Sequence, residues 1–269
     1  MINKKVVIIT GASSGIGLAC AKEFSYRGYG IVMAARSIEK LTSIEQELKI
    51  DNPYVLSVKA DVSIEEDCKK LIDETIKHFG RIDVLINNAG ISMRALFIDV
   101  EINVLHSLMN TNFWGAVNCT KYALPHILEQ KGSVVGVSSI AGFMGLPGRT
   151  GYSASKFALQ GFLETIRIEH RQQQLHVMIV APGFTASNIR KTALVADGSM
   201  QGESPRDEKK MMTSEKVAYY LHRGIVKRKR QIVLTVQGKL AVFLRKFFPG
   251  LIDYFEYLEM KKEANSPLS

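Results

Sequence analysis

The sequence predicts an α/β fold, one doubly wound parallel sheet in a single domain spanning residues 1–269, with an amphipathic helical tail over residues 238–262. Three observations predict it. Short apolar runs without polar alternation recur along the chain, the pattern of strands covered on both faces. Helix-length segments lie between them, and strands that alternate with helices build parallel sheets with right-handed crossovers. The first strand runs straight into a glycine-rich turn and then a helix, the context a phosphate-binding turn requires.

Lys5 to Thr10 is a β-branched run that reads as a buried strand, followed by Gly11-Ala12-Ser13-Ser14-Gly15-Ile16-Gly17 and a helix from Leu18 to Tyr26. Glycines there allow a tight turn and close backbone approach, and the helix start offers unpaired N–H groups to a pyrophosphate. The spacing, T-G-x-x-x-G-x-G, differs from the G-x-G-x-x-G of other dinucleotide folds. Gly30 to Ala35 is the second strand and ends at Arg36-Ser37. An acid at this edge would bind a ribose 2′-OH, whereas arginine accommodates a 2′-phosphate. No acid occurs from Ala34 to Ser37, which favours NADP(H) over NAD(H).

Tyr54 to Val58 forms a third strand, and Asp61-Val62 follows where an adenine edge is read. Ile64 to Phe79 is an amphipathic helix with Cys68, Leu71, Ile72 and Ile76 inward. Arg81 to Ile86 is the fourth strand and leads into Asn87-Asn88-Ala89-Gly90, residues suited either to brace the sheet or to let a cofactor approach the backbone. A helix is expected from Leu105 to Gln130, although Asn112 inside it disfavours helix locally and needs a reason if buried. Ser133 to Val137 is the fifth strand, ending at Ser138-Ser139, and a helix from Ser153 to Arg171 precedes the strand Leu175 to Ala181 and Pro182-Gly183-Phe184-Thr185.

Composition narrows the classes. Among 269 residues no run approaches eighteen apolar positions, and the N-terminus passes directly into strand-like sequence, so neither a spanning helix nor a cleaved signal is expected. Cys20, Cys68 and Cys119 are far apart and lack metal-ligand spacing, reading as reduced thiols in the cytoplasm, with no metal site. The net charge is +9, but twelve Lys/Arg against three Asp/Glu fall between Arg206 and Lys246, so the excess belongs to the C-terminal region. Nucleic acid is not expected as a partner, because no reader module or stacking platform accompanies the basic run.

Tyr152 and Lys156 are four residues apart, one turn apart on a helix face. A cation beside a phenol stabilises phenolate and lowers its pKa, which makes the pair a candidate proton donor. Ser138 and Ser139 stand at the carboxyl end of a central strand, where open α/β sheets place ligands.

Together these motifs resemble the short-chain dehydrogenase/reductase family over about Lys5 to Thr185, a Rossmann-type fold. T10-G-A-S-S-G-I-G17, N87-N-A-G90, N112, S139, Y152-x-x-x-K156 and P182-G183 occur in the family's order. A34-A-R-S37 and S139-I-A-G-F-M-G-L-P147 look like its NADP(H)-using hydroxysteroid-dehydrogenase-like branch. The resemblance implies interconversion of a carbonyl and a secondary alcohol by hydride transfer, on a hydrophobic steroid- or lipid-like substrate. It implies Tyr152 as general acid or base, Lys156 lowering its pKa and holding the nicotinamide ribose, Ser139 on the substrate oxygen, and Asn112 supporting a water between Lys156 and solvent. Ser139 is chosen over Ser138 because it lies thirteen positions before the tyrosine. The cofactor would lie on Gly11, Ser13, Ser14, Gly15, Ile16, Gly17, Arg36, Ser37, Asp61, Val62, Asn88, Ala89, Gly90, Pro182, Gly183 and Thr185, besides Tyr152 and Lys156. Ser13-Ser14 lack the basic residue that NADP-dependent members often carry, so the 2′-phosphate reading rests on Arg36. An epimerase or dehydratase, and a cofactor-sensing scaffold without turnover, are the rival readings; a homo-oligomer, dimer or tetramer, is expected.

Phe184 to Met212 is polar and irregular and reads as a flap over substrate, with Phe184, Leu194, Val195, Met200, Met211 and Met212 joining Met93, Phe97, Met144 and Leu146 in an adaptable wall. Ser214 to Arg223 reads as a helix and Gln231 to Val236 as the last strand. Leu240, Phe243, Leu244 and Phe247, then Leu251, Tyr254, Phe255 and Leu258, fall at helical spacing with basic neighbours. That tail packs on the domain, on a second subunit or on an anionic membrane surface, to which the Lys227–Arg230 run is also suited.

Overall fold

Seven parallel strands form one sheet in a computed structural model that describes residues 4–204, 211–263 and 265–268. In chain order they are β1 (Val6–Thr10), β2 (Gly30–Ala35), β3 (Val55–Lys59), β4 (Val84–Asn87), β5 (Ser133–Val137), β6 (His176–Ala181) and β7 (Gln231–Val233). Across the sheet they run β3-β2-β1-β4-β5-β6-β7. The winding reverses between β1 and β4, and a crevice opens there beyond the carboxyl ends of the strands. Helices α1 (Gly15–Tyr26), α2 (Ile38–Lys49), α3 (Glu65–Phe79), α4 (Ile102–Met109), α5 (Gly115–Glu129), α6 (Thr150–Glu169) and α7 (Ser214–Val226) are followed by α8 (Val236–Leu244) and α9 (Pro249–Lys262).

Alternation within each strand divides the core in two. Val6 and Ile8 of β1 pack with Cys68, Leu71 and Ile72 of α3, Cys119 and Ile127 of α5 and Leu163 of α6. Val7 and Ile9 face the other way, toward Cys20 and Phe24 of α1, Leu41 of α2 and Leu221 of α7. Both faces are thus apolar, which explains strands that read as unbroken hydrophobic runs. All three cysteines are buried, free thiols.

Two elements differ from their sequence expectation. The helix expected from Leu105 to Gln130 starts at Ile102 and is interrupted by a π-helical turn over Asn110–Trp114. β7 stops at Val233, because Thr235 takes φ 75° and caps α8 by accepting from the Gly238 N–H. Positive φ is strained for a β-branched residue, and Thr235 is held there by Gly183, which leaves no room for a Cβ: one would lie 2.4 Å from the Thr235 Oγ1. The flap, expected to be irregular, is tied by short bridges, Met93 to Leu194, Leu194 to Met200 and Thr185 to Met212. Met93 and Met144 are fully buried, whereas Phe97, Phe184 and Met200 face solvent, so the expected apolar wall is only partly assembled. Pro205, one of the punctuating residues of that stretch, and the basic Arg206, Lys209 and Lys210 lie outside the described residues.

Candidate active site

The glycine turn is stapled to the end of β4. The Thr10 hydroxyl donates to the Ile86 carbonyl and accepts from the Asn88 and Ala89 N–H groups, both at 3.0 Å. The Asn88 amide donates to the carbonyls of Thr10 at 2.9 Å and Gly11 at 3.3 Å. Of the two roles open to these residues, bracing is therefore visible in Asn88, and Asn87 likewise donates to the Thr120 hydroxyl at 2.9 Å. Close approach explains Gly17: a Cβ would sit 2.3 Å from the Gly11 carbonyl oxygen and 2.6 Å from the Asn88 amide. Ser14 precedes α1 without a side-chain cap, leaving the first-turn N–H groups of α1, from Gly15, Ile16 and Gly17 onward, without one, and no acid stands in that turn. Such an end favours an anion. Gly17→Ala should lower stability by about 1–3 kcal/mol, the usual size of an overpacking defect, and weaken dinucleotide binding. Melting and fluorescence titration test this, and unchanged values for both would show that the turn has slack.

At the end of β2, Arg36 is exposed and its guanidinium lies 4.0 Å from the Asp61 carboxylate. Ser37 precedes α2 and donates to Glu39 at 3.3 Å. The other Asp61 oxygen accepts from the backbone and hydroxyl of Ser63, and buried Val62 lies under Gly115. These four residues lie beyond the ends of β2 and β3, with the Arg36 side chain largely exposed.

The π-turn supplies the reason for a buried Asn112. Its Oδ1 accepts from the Ile91 N–H at 2.8 Å, while its Nδ2 donates to the Ile91 carbonyl at 3.0 Å and the Ser155 hydroxyl at 2.9 Å. Ser155 in turn donates to the Tyr152 carbonyl at 2.8 Å. Asn112 thus ties the loop after β4 to α6, and its side chain is committed to protein groups. Gly90 packs closely against it, since a Cβ there would lie 3.0 Å from the Asn112 Oδ1 and 3.4 Å from the Lys156 Nζ.

The two serines after β5 separate cleanly. Ser138 is buried and accepts from the Gln160 amide at 3.1 Å, a structural contact one turn beyond Lys156. Ser139 caps the short 3-10 turn Ile140–Gly142, accepting from the Ala141 N–H at 3.2 Å, and its hydroxyl acts on the Tyr152 phenol, opposing the rise in its pKa. Lys156 is buried, donates to the Val137 carbonyl at 2.9 Å and holds its Nζ 5.7 Å from the centre of the Tyr152 ring. Beyond β6, Pro182 and Gly183 pack near Thr235, and the Thr185 hydroxyl donates to the Gly183 carbonyl at 3.1 Å.

Electrostatics corrects one expectation. Burial raises the Tyr152 pKa above its usual value, and the opposing influences are the Ser139 hydrogen bond and the charges of Arg149 and Arg190. The Lys156 ammonium lies 5.7 Å from the centre of the Tyr152 ring. Burial has lowered its own pKa from 10.5 to about 8, and its amine is turned to a backbone carbonyl. The structure therefore brings Ser139, Tyr152 and Lys156 together, with Asn112 supporting them through Ser155. It also brings in arginines that the sequence did not single out. Arg149 bonds the Ser92 hydroxyl and the Met93 carbonyl, and Arg190 donates to the Thr185 carbonyl at 2.7 Å. Their only sequence signal was position, three residues before Tyr152 and inside the flap; an arginine in a polar stretch reads as surface.

The crevice at the switch point, the uncapped turn and the Tyr-Lys pair define a dinucleotide-binding oxidoreductase fold. The short chain dehydrogenase family model matches residues 5–196. Dehydrogenase/reductase SDR family member 7B of Xenopus tropicalis is 35% identical over 268 residues, covering 96% of this chain and 86% of that protein. An 11-beta-hydroxysteroid dehydrogenase A of Arachis hypogaea is 43% identical over 206 residues, covering 76% of this chain and 58% of the other. Among solved structures, a short chain dehydrogenase/reductase from Burkholderia phymatum in complex with NAD superposes with a TM-score of 0.82 at 23% identity, covering 93% of this chain and 96% of that one. An alcohol dehydrogenase from the archaeon Thermococcus sibiricus complexed with 5-hydroxy-NADP gives 0.74 at 23%, covering 86% and 95%. The chain belongs to the short-chain dehydrogenase/reductase family, whose members are NAD(P)-dependent oxidoreductases acting on CH–OH groups.

Proposed function

We propose that this chain interconverts a carbonyl and a secondary alcohol on a hydrophobic, steroid- or lipid-like substrate, with NADP(H) favoured over NAD(H). The observation that carries the reading is the part-buried Tyr152 on α6, one turn from a buried Lys156 whose Nζ lies 5.7 Å from its ring centre, with Ser139 acting on the phenol. The residues fit a dinucleotide: Gly17 lets the turn fold tightly onto the Gly11 carbonyl, and the first turn of α1 is uncapped and carries no acid, leaving its N–H groups to an anion. Gly11 to Gly17 would hold the pyrophosphate, Asp61 and Val62 the adenine edge, and Ala89, Gly90, Pro182, Gly183 and Thr185 the nicotinamide side. When bound, the dinucleotide supplies or accepts the hydride. Ser139 holds the substrate oxygen, and Tyr152 gives that oxygen its proton in reduction and takes it back in oxidation. Lys156 holds the ribose and returns protons toward solvent, with Asn112, whose side chain is engaged by Ile91 and Ser155, supporting the linking water through its main chain.

Support for NADP(H) is the exposed Arg36, 72% accessible at its side chain, and the lack of any acid from Ala34 to Ser37. A charge-assisted contact to a 2′-phosphate is worth about 1.5–3 kcal/mol. Arg36→Asp should therefore shift the NADPH:NADH ratio of kcat/KM at least about tenfold toward NADH. An unchanged ratio counts against the preference. Support for an apolar substrate comes from the hydroxysteroid relative and from the apolar cluster of Met93, Leu105 and Leu194 packed with Tyr152. A panel of steroid, fatty and sugar carbonyls with both cofactors tests it, and turnover of sugar carbonyls alone would overturn it. The homo-oligomer is part of the proposal; half-exposed Trp114 and Phe157 supply apolar surface for it, and light scattering reads its size.

A further inference from the structure

The C-terminal helices do not turn their apolar side chains inward. Leu240, Phe243, Phe247 and Phe248 are 55–62% exposed along α8 and the turn after it, and Tyr254 and Phe255 continue the band on α9 at 58% and 53%. Phe243 and Phe247 stand 5.4 Å apart ring to ring, and Tyr254 and Phe255 6.3 Å. These are grouped aromatics, and grouped exposure marks a contact surface where single exposed residues do not.

The fold holds this face outward from the other side. Gly238 lies so close to Ile140 that a Cβ would be 2.5 Å from the Ile140 Cδ1, and Ile252 and Met260 are the buried residues of α9. After α9, Glu263 reaches Arg94 at 3.2 Å with both side chains buried. The returning chain, with Asn265 and Pro267, borders a cavity of about 320 Å³ against Val195 and Ser204 of the flap. The tail is thus anchored beside the flap and presents its aromatics to solvent.

Charge selects the occupant. Residues 236–248 contain Lys239, Arg245 and Lys246 and no acid, and α9 adds Lys261 and Lys262 against Asp253, Glu256 and Glu259, so residues 236–262 together are net positive with the excess ahead of α9. Arg245 pairs with Asp253 at 2.6 Å, while Lys239 and Lys246 make no ion pair among the described residues. A second copy laid across this face by a two-fold axis would set lysines near lysines. An anionic bilayer instead takes aromatics into its headgroup boundary and lysines onto its phosphates. No helix among the described residues is long and apolar enough to cross a membrane, so the contact is interfacial. We infer that the outward face of α8 and α9 docks on an anionic lipid bilayer. The Lys227–Arg230 run takes no part: it precedes the amino end of β7, whereas α8 follows the carboxyl end of that strand, and Arg228 there donates to the carbonyls of Lys131 and Gln174.

The inference stands without the redox reading, and its test needs no turnover. The full chain is sedimented with vesicles of phosphatidylcholine alone and with one-third phosphatidylglycerol, over a range of salt. Binding to the anionic vesicles is expected, weakening as salt rises. F243S/F247S should lower the partition coefficient at least about tenfold, and K239E/K246E at least about fivefold per residue. All these side chains are exposed, so melting temperature and dinucleotide binding should stay unchanged in both variants. A chain that stays in the supernatant overturns the inference, as does equal binding to neutral and anionic vesicles. If F243S/F247S instead converts a dimer to a monomer while the parent chain ignores vesicles, the face belongs to a second copy.

Discussion

Replacing Tyr152 with Phe should reduce carbonyl turnover by about 10²–10⁴-fold, the usual contribution of a positioned general acid, while dinucleotide binding persists. Phe keeps the ring that packs near Met93, Leu105 and Leu194 and removes only the hydroxyl. The Ser139 hydroxyl loses one partner but keeps the Ala141 N–H at 3.2 Å, so the turn after β5 should survive. A fall in kcat with cofactor affinity retained identifies a proton donor; full activity would remove Tyr152 from the chemistry. The raised pKa gives the reaction a direction as well. A phenol held above its ordinary pKa stays protonated through neutral pH, as reduction requires. Alcohol oxidation needs the proton gone, and its rate should climb through the alkaline range where reduction does not.

The parts of this molecule visible in its sequence are those whose cause is local or periodic. β1 and β2 are flanked by helices on both sides, and that burial writes unbroken apolar runs into Val6–Thr10 and Gly30–Ala35. The glycine turn is visible because backbone geometry there forbids a Cβ. Contacts made across the sheet leave little trace. The π-turn at Asn112 is compensated by Ile91, twenty-one residues away, and by Ser155, forty-three away, so a local reading saw only a poor helix former. Thr235 ends β7 early because Gly183, on the neighbouring strand's exit, makes room for it. The effect of burial on Tyr152 is hidden for a related reason. Helical spacing places Lys156 one turn away, as the structure does, but spacing along a helix does not say what burial does to the pKa of either group.

Lys156→Met should make the cofactor-free protein more stable at neutral pH while removing activity. The wild-type lysine titrates near 10.5 unfolded and at about 8 folded. Its folded-state pKa is depressed, so the unfolded chain binds more protons between those values and stability rises with pH across them. Below pH 8 the buried ammonium carries its full penalty, about 3 kcal/mol for a shift of this size. Methionine removes that penalty and also the hydrogen bond to the Val137 carbonyl, worth about 1 kcal/mol. The variant should therefore exceed wild type by about 2 kcal/mol near pH 6–7, and the gap should close and reverse as pH passes from 8 to 10.5. Denaturant melts across that range measure it. A constant gap would mean that Lys156 is not strained by burial. A residue whose removal stabilises the fold and abolishes turnover is held there for its charge; a lysine with a merely structural role would lose stability when replaced at every pH.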